Sequence, residues 1–405
     1  MQNAWSSVLA AIILFGVLVI FTLGKSPVFR VDRAGASIIG SVILIGLGVL
    51  SFDEAVKAID FKTIVILFSM MVVVANLKLA GFFELLGSVV LNKVSSKRAL
   101  LATVIGAGGV LSAIAINDII CLLFTPVVLL VCRRGQCHPL PHLLGLAVAS
   151  NIGSAATLMG NPQNILIGSL SGLSFGAYFV TAGPVALLGL VCAFSIIAFV
   201  YRDKLEGHLE KYTGNEVNYH SYLIVKSCFV LGAILAAYMA GYDLALVSSL
   251  GAAFLLITRR VNPNKVYTSV DFNLLVVFTG LFVIVGGVEK SGLMTYLSNY
   301  LPASGIENLG LFAALTLILS NIVSNVPAVL LLKFFVPATG AAIWWKGLAL
   351  FSTLAGNLTL TGSIANLIVV EIAKRQGVTV TARDYIAVGI PLTIITTLFG
   401  ILWLM

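Results

Sequence analysis

The stretch Ala149-Ser150-Asn151-Ile152-Gly153-Ser154-Ala155-Ala156-Thr157-Leu158-Met159-Gly160-Asn161-Pro162-Gln163-Asn164-Ile165 decides how the chain is read. It lies inside a long apolar segment, yet it holds hydroxyls, carboxamides, glycines and a proline. In a bilayer, irregular backbone persists only where it is buried in protein or lines a wet cavity. The stretch therefore reads as the unwound middle of a broken transmembrane helix, residues 143–170, that helps to form a transport site.

The composition fits that reading. Of 405 residues, 59% are hydrophobic and 10% charged, too few charges to cover a soluble surface. The mean hydropathy is +1.08. The apolar runs are too long for membrane-barrel strands, so the fold class is an all-α polytopic membrane protein. The net charge of +8 reflects Lys and Arg in loops. No basic cluster is interleaved with base-stacking aromatics, which excludes nucleic acid as a partner. The first apolar run, from Ser7 to Gly24, has no basic residue before it and no cleavage site, and reads as a retained helix. Cys121, Cys132, Cys137, Cys192 and Cys228 form no CxxC pair and read as small buried hydrophobes. Cys137-His138 and His142 have the look of a metal cluster. Pro139 and Pro141 break the helical spacing that would aim both imidazoles at one ion, so these residues read as interfacial loop and no metal is expected.

Spans are expected at Ala34–Leu50, Thr63–Leu79 and Phe175–Tyr201, with a loop at Asp53–Lys62 and an interfacial helix at Gly81–Leu91. Between them, residues 99–132 carry one formal charge, Asp118, near the middle. As a straight helix this segment would be about 51 Å long against a hydrocarbon core of about 30 Å. Lys97 and Arg98 precede it and Arg133 and Arg134 follow it, so both ends belong on the cytoplasmic side. The segment reads as a re-entrant hairpin with Ile116-Asn117-Asp118 at its tip.

The chain then repeats itself. Shifted by 211, residues 32–86 fall on 243–297, matching Asp32/Asp243, Ser37/Ser248, Gly40/Gly251, Asp60/Asp271 and Gly81/Gly292. Shifted by 202, the broken helix falls on a second one at 346–371, matching Ser150/Ser352, Thr157/Thr359, Gly160/Gly362 and Asn164/Asn366. Residues 308–333 stand in place of the first hairpin, with a tip from Ser320 to Pro327. Residues 1–203 and 220–405 are thus two repeats flanking a central cytoplasmic loop, 204–219. Each repeat has five spans and one hairpin, and an odd count makes them inverted. Threaded so, one face carries every Lys and Arg except Lys57, Lys62, Lys290, Lys333 and Lys346. That face is cytoplasmic by the positive-inside rule, and both termini are external.

Paired hairpins and paired broken helices describe a secondary transporter with a site near the midplane. The candidate substrate and ion ligands are Asn117, Asp118, Ser150, Asn151, Thr157, Asn161 and Asn164 in the first repeat. The second supplies Ser320, Asn321, Ser324, Asn325, Asn357, Thr359, Thr361, Ser363 and Asn366. Asp118 is the one acid expected deep in the membrane, a default candidate for carrying a proton. No Lys or Arg is expected at the site. Lys78 and Lys226 read as snorkelling at span ends. A channel would not need two occluding hairpins, and a membrane-embedded enzyme would need a cluster of reactive groups at one depth, so neither class is favoured.

These residues resemble the ion transporter superfamily that includes ArsB-type arsenite pumps, the P-protein and NhaD-type sodium/proton antiporters, and the divalent anion/sodium symporters. Asn117-Asp118 followed by Thr125-Pro126 is similar to the first tip of ArsB-type proteins. Asn151-Ile152-Gly153 through Gly160-Asn161-Pro162 and Asn164 is similar to the NhaD and P-protein branch, which has an acid where Asn161 stands. Ser150-Asn151-Ile152 and Ser320-Asn321-Ile322 are similar to the Ser-Asn-Thr signatures of the carboxylate symporters, with Ile for Thr in both. The resemblance implies alternating access in the inner membrane, no cofactor, H+ or Na+ as coupling ion, and a homodimer. It implies a small anion or metalloid oxyanion as substrate, with proton-coupled arsenite or antimonite export first and sodium-coupled carboxylate or inorganic-anion symport second.

Overall fold

A computed structural model describes residues 4–26, 28–210, 218–258, 260–293, 308–337 and 340–405. The described residues are helical, with no strand beyond two isolated bridges, Lys25 to Asp32 and Ser96 to His208. The helices of the first half are α1 (Ala4–Leu23), α2 (Arg33–Gly46), α3 (Phe52–Ala58), α4 (Phe61–Leu79), α5 (Phe82–Lys93), α6 (Lys97–Ile114), α7 (Asn117–Arg134), α8 (Leu140–Ala155), α9 (Pro162–Ser171) and α10 (Phe175–Val200). Those of the second half are α11 (Ser221–Met239), α12 (Leu244–Leu256), α13 (Pro263–Tyr267), α14 (Phe272–Lys290), α15 (Leu309–Val323), α16 (Asn325–Leu332), α17 (Ala341–Leu354), α18 (Ile364–Arg375) and α19 (Ala382–Leu404).

Seven described helices are long and apolar enough to cross a bilayer: α1, α4, α6, α10, α11, α14 and α19. Large apolar side chains such as Phe15, Val180, Phe199, Val225 and Phe229 stand exposed on them. A water-soluble monomer does not carry so much exposed apolar surface, whereas lipid covers it at no cost. The chain is a multi-pass membrane protein.

The expected boundaries hold to within a few residues, with two departures. The stretch 53–62, read as a loop, contains α3. Ser51 and Glu54 close a capping box at its start, with the Ser51 N–H donating to Glu54 at 2.8 Å. The second interruption, expected as a tip from Ser320 to Pro327, is confined to Ser324. Ser320 to Val323 complete α15, and Ser324 takes the left-handed region at φ 77°. A serine at positive φ is strained backbone.

Three relations set the architecture. First, α6 and α7 begin and end on the same strip of chain. The Leu209 N–H donates to the Ser95 carbonyl just before α6 at 2.9 Å, and the Glu210 N–H donates to the Gly135 carbonyl just after α7 at 3.3 Å. Their joint, Ala115-Ile116, sits at the first helix break, where the Asn117 N–H donates to the Gly160 carbonyl at 2.9 Å. Second, α2 and α14 run parallel: Gly280 packs on Ser37, Gly40 on Ile284 and Gly287 on Leu44. Near its end, α14 packs Gly286 against Ala58, the last residue of α3, three residues before α4. Third, α10 and α19 are antiparallel neighbours, with Gly189 against Thr396 and Gly400 against Val185.

The backbones of α6 and α8 approach closely at Gly109 and Gly153. A Cβ on Gly153 would strike the Gly109 carbonyl, whereas one on Gly106 would meet nothing within 4 Å. Gly153→Ala is expected to cost about 1–3 kcal/mol by forcing the two helices apart. Gly106→Ala is expected to be neutral or slightly stabilising. Thermal unfolding of the purified protein in detergent checks both.

Candidate functional site

Each broken helix frees backbone groups that a bilayer cannot solvate, and its own carboxamides take them up. In the first break, between α8 and α9, Asn161 caps α9 by accepting the Asn164 N–H at 2.9 Å. The Asn164 amide donates to the Thr157 carbonyl at 2.9 Å and to the Ser154 carbonyl at 3.3 Å. In the second, between α17 and α18, the Asn366 amide donates to the Gly356 carbonyl at 2.7 Å and to the Thr359 carbonyl at 3.4 Å. Shifted by 202, residues 154, 157 and 164 become 356, 359 and 366, so one set of bonds is the copy of the other.

The two breaks are then tied to each other by a second matched set. The Asn151 amide donates to Asn366 Oδ1 at 3.1 Å, and the Ser363 hydroxyl donates to Asn151 Oδ1 at 3.0 Å. At the same offset, the Thr353 hydroxyl reaches Asn164 Oδ1 at 3.1 Å, and the Asn161 amide donates to Thr353 at 3.0 Å. Asn151 and Thr353 are the two centres of this network, 1% exposed each. Asn151 also donates to Asn357 at 2.9 Å and accepts from Asn117 at 3.1 Å, which brings the α6–α7 joint into the cluster. Ser150 accepts the Cys121 thiol at 3.1 Å. Tyr178 and Tyr385 close the two ends, through the Ala155 carbonyl at 2.8 Å and Asn357 Oδ1 at 3.4 Å. Asn321 and Thr359 pair at 2.8 Å and take up the Ala355 carbonyl. Thr361 is exposed and reaches only Thr359, so it stands outside the cluster among the described residues.

Four side-chain atoms in this region have no hydrogen-bond partner among the described residues: Ser112 Oγ, Asn117 Oδ1, Ser320 Oγ and Asn325 Oδ1. They too are matched, at an offset of 208, five residues before each joint asparagine and at the asparagine itself. An unpaired buried acceptor costs about 1–3 kcal/mol unless a ligand, ion or water serves it. These positions therefore suit atoms that meet a bound solute.

Asp118 breaks the pattern. Its counterpart at the 208 offset is Val326. Its carboxylate faces the Ala365 N–H in the first turn of α18, where a negative charge is favoured, and it feels the charges of Arg33 and Asp271. Arg33, at the first position of α2, donates to the Phe21 carbonyl at 3.1 Å and lies within electrostatic reach of Asp118. Its counterpart at the 211 offset is Leu244, so the acid and its counter-ion belong to the same half and are both unmatched in the other.

Two cavities flank the network at matched positions. One, of about 310 Å³, is lined by Asp32, Arg33, Ala34, Asp271, Val277 and Ile364. The other, of about 370 Å³, is lined by Lys62, Ile66, Asp243 and Ala245, with Gly168 and Tyr238. Asp32/Asp243, Ala34/Ala245 and Ile66/Val277 are pairs at the 211 offset. The second cavity is crossed by a Lys62–Asp243 ion pair of 3.3 Å.

Residues missed from sequence are Thr353, Ser154, Gln163, Tyr178, Tyr385, Ser112 and Arg33. Thr353 was within reach, because it is Asn151 carried forward by 202.

A multi-pass helical chain whose broken helices meet in a buried carboxamide cluster belongs to the class of membrane transporters. A family model described as citrate transporter matches residues 16–355, and the chain belongs to that family. It is 29% identical over 462 residues to the silicon efflux transporter LSI3 of Oryza sativa subsp. japonica, covering 96% of this chain and 95% of the relative. It is 30% identical over 407 residues to a 46 kDa membrane protein of Mycobacterium leprae, covering 93% and 94%. It is 25% identical over 490 residues to the putative transporter arsB of Dictyostelium discoideum, covering 92% and 87%.

If the network joins the two breaks, Asn151 and Asn366 must be energetically coupled, and so must Thr353 and Asn164. Double-mutant cycles with Asn151→Ala and Asn366→Ala, and with Thr353→Val and Asn164→Ala, are each expected to give coupling of about 0.5–3 kcal/mol in unfolding experiments. Additive effects in both cycles would mean that the breaks are held independently.

Proposed function

We propose that the chain is a secondary active transporter of a small anion or metalloid oxyacid, working by alternating access. We read it as two inverted repeats, residues 1–203 and 220–405, with α6–α7 and α15–α16 as re-entrant hairpins. The meeting ends of α6 and α7 and the matched hydrogen bonds support that reading. Matched cavities on either flank of one network are what a carrier needs if it opens to the two sides in turn. Arg33 and Asp271 sit at the face that the positive-inside rule makes cytoplasmic, with Lys62 and Asp243 at the other. Placed in a bacterial-type inner membrane, both termini are external.

The leading reading is proton-coupled export of arsenite or antimonite. The observation that carries it is Asp118 facing the first turn of α18 within electrostatic reach of Arg33, which lines a cavity together with Asp271 and Ile364. A carboxylate that loses its proton there is held by the guanidinium and the helix N-terminus. Arsenite at neutral pH is a neutral trihydroxide, and each hydroxyl can both give and take a hydrogen bond. Carboxamides and serine hydroxyls match such a solute without any net charge at the site. Related proteins carry names of silicon efflux and arsB, which are consistent with an oxyacid substrate.

A second reading is sodium-coupled symport of a carboxylate or inorganic anion. The matched acceptor oxygens Asn117 Oδ1 and Asn325 Oδ1, with Ser112 and Ser320 nearby in sequence, suit a hard cation at each joint. The citrate transporter family name is consistent with it. Sodium/proton antiport is the least supported, since Asn161 stands where that branch has an acid.

Proteoliposome flux separates the readings. With a proton gradient imposed, arsenite or antimonite flux is expected to run without sodium and to fall at least about tenfold in Asp118→Asn and in Arg33→Ala, the equivalent of losing one charge-assisted contact. Proton-driven flux unchanged in Asp118→Asn removes Asp118 from coupling. Flux of citrate or succinate driven by sodium alone establishes the second reading.

A further inference from the structure

A cluster outside the transport site joins three helix ends. Cys132 lies in the last turn of α7, Cys137 in the loop that follows, and His142 in the first turn of α8, spaced evenly at five residues. The residues expected to be a scattered interfacial loop are gathered instead: the two sulfurs and one ring nitrogen of His142 all lie within 4.8 Å of one another. Cys132 and His142 are buried, Cys137 half-buried. The sequence reading had set His138 beside His142. The turn after α7 brings His142 to Cys132 and Cys137.

We infer that Cys132, Cys137 and His142 form a binding site for one thiophilic divalent cation of the zinc class. A tetrahedral ion with sulfurs about 2.3 Å and a nitrogen about 2.0 Å away would hold its ligand atoms about 3.5–3.8 Å apart, so a contraction of about 1 Å closes the site. Three protein ligands leave a fourth position for water. The imidazole is already oriented for the task. Its two nitrogens lie 3.2 Å from the His138 carbonyl and 3.2 Å from the Lys97 carbonyl. A neutral ring has one N–H, so one contact is a hydrogen bond and the other sets a lone pair against a carbonyl oxygen. A small ring shift gives that lone pair to a cation and keeps the other nitrogen donating to backbone, the outer contact that metal-ligating histidines use. Lys97 opposes the cation itself, and two thiolates outweigh it.

The position gives the ion a job. Lys97 begins α6, Cys132 ends α7 and His142 begins α8, so a bound ion clamps the base of the helix pair to the helix that carries Asn151.

The test uses the full-length protein purified in detergent through a tag free of histidine, stripped with chelator and titrated with Co²⁺. One cobalt per chain is expected, with the thiolate charge-transfer band and the visible bands of a tetrahedral site, displaced by Zn²⁺. Cys137→Ser, in the loop, is expected to abolish the charge-transfer band while the size-exclusion profile stays unchanged. His142→Cys is expected to keep binding and intensify the band, and Cys228→Ser to change nothing. An absent band in the unmodified protein, or a band that persists in Cys137→Ser, overturns the site. So does a pair of thiols released by a reductant and not by a chelator, which identifies a Cys132–Cys137 disulfide instead.

Discussion

The fold depends on one constraint: a helix interrupted inside a bilayer leaves N–H and C=O groups that lipid cannot serve. Everything near the centre of this protein answers it. Asparagine is the residue used because its carboxamide donates twice and accepts through the same group. Asn164 spends its donors on the carbonyls of Ser154 and Thr157, which leaves its oxygen for Thr353 in the other half. Asn366 does the same for Gly356 and Thr359 and offers its oxygen to Asn151. Local satisfaction of each break thus generates the contact between breaks. A hydrophobic substitute at Asn164 or Asn366 would lose both.

The glycines follow from the same constraint. Gly160 and Gly362 let the unwound chain press onto the neighbouring carbonyls, where a Cβ would meet Ser154 and Ser112 in one case and Ala355 and Gly356 in the other. Gly389 lies under the Asn357 carbonyl in the same way. Close backbone approach, not flexibility, is what these positions supply.

Much of this was legible. The breaks announced themselves because Gly, Asn and Pro crowd a run that is otherwise apolar, and the interruption between α6 and α7 because the segment is too long for one straight crossing. The capping box of α3 was equally legible in Ser51 and Glu54, but the charges around it read as loop. Thr353 was hidden by a change of chemistry: a hydroxyl does for Asn164 what a carboxamide does for Asn366, and identity matching passes over the pair. Arg33 was hidden by a different rule. A positive charge at the start of a span is read as an anchor on the cytoplasmic face, and sequence distance gives no hint that Asp118 waits beside it. The gathering of Cys132 with His142 is likewise a product of the turn after α7, which spacing alone does not fix.

The one feature without a counterpart is the charged one. On the inverted-repeat reading, exchange of the two halves' conformations carries the protein from one open side to the other. A network whose bonds are matched would be served equally well in both states, and it gives neither an advantage. A carboxylate and a guanidinium present in only one half remove that balance. On the proposed mechanism, an ionised Asp118 would favour the arrangement in which it faces the first turn of α18 within reach of the Arg33 charge, because a buried charge without its partners costs several kcal/mol. Asp118 protonated loses that preference. Proton uptake would then act through the populations of the two states rather than through any contact with the solute. A single titrating group suffices, provided the rest of the site is symmetric enough to leave the two states within a few kcal/mol.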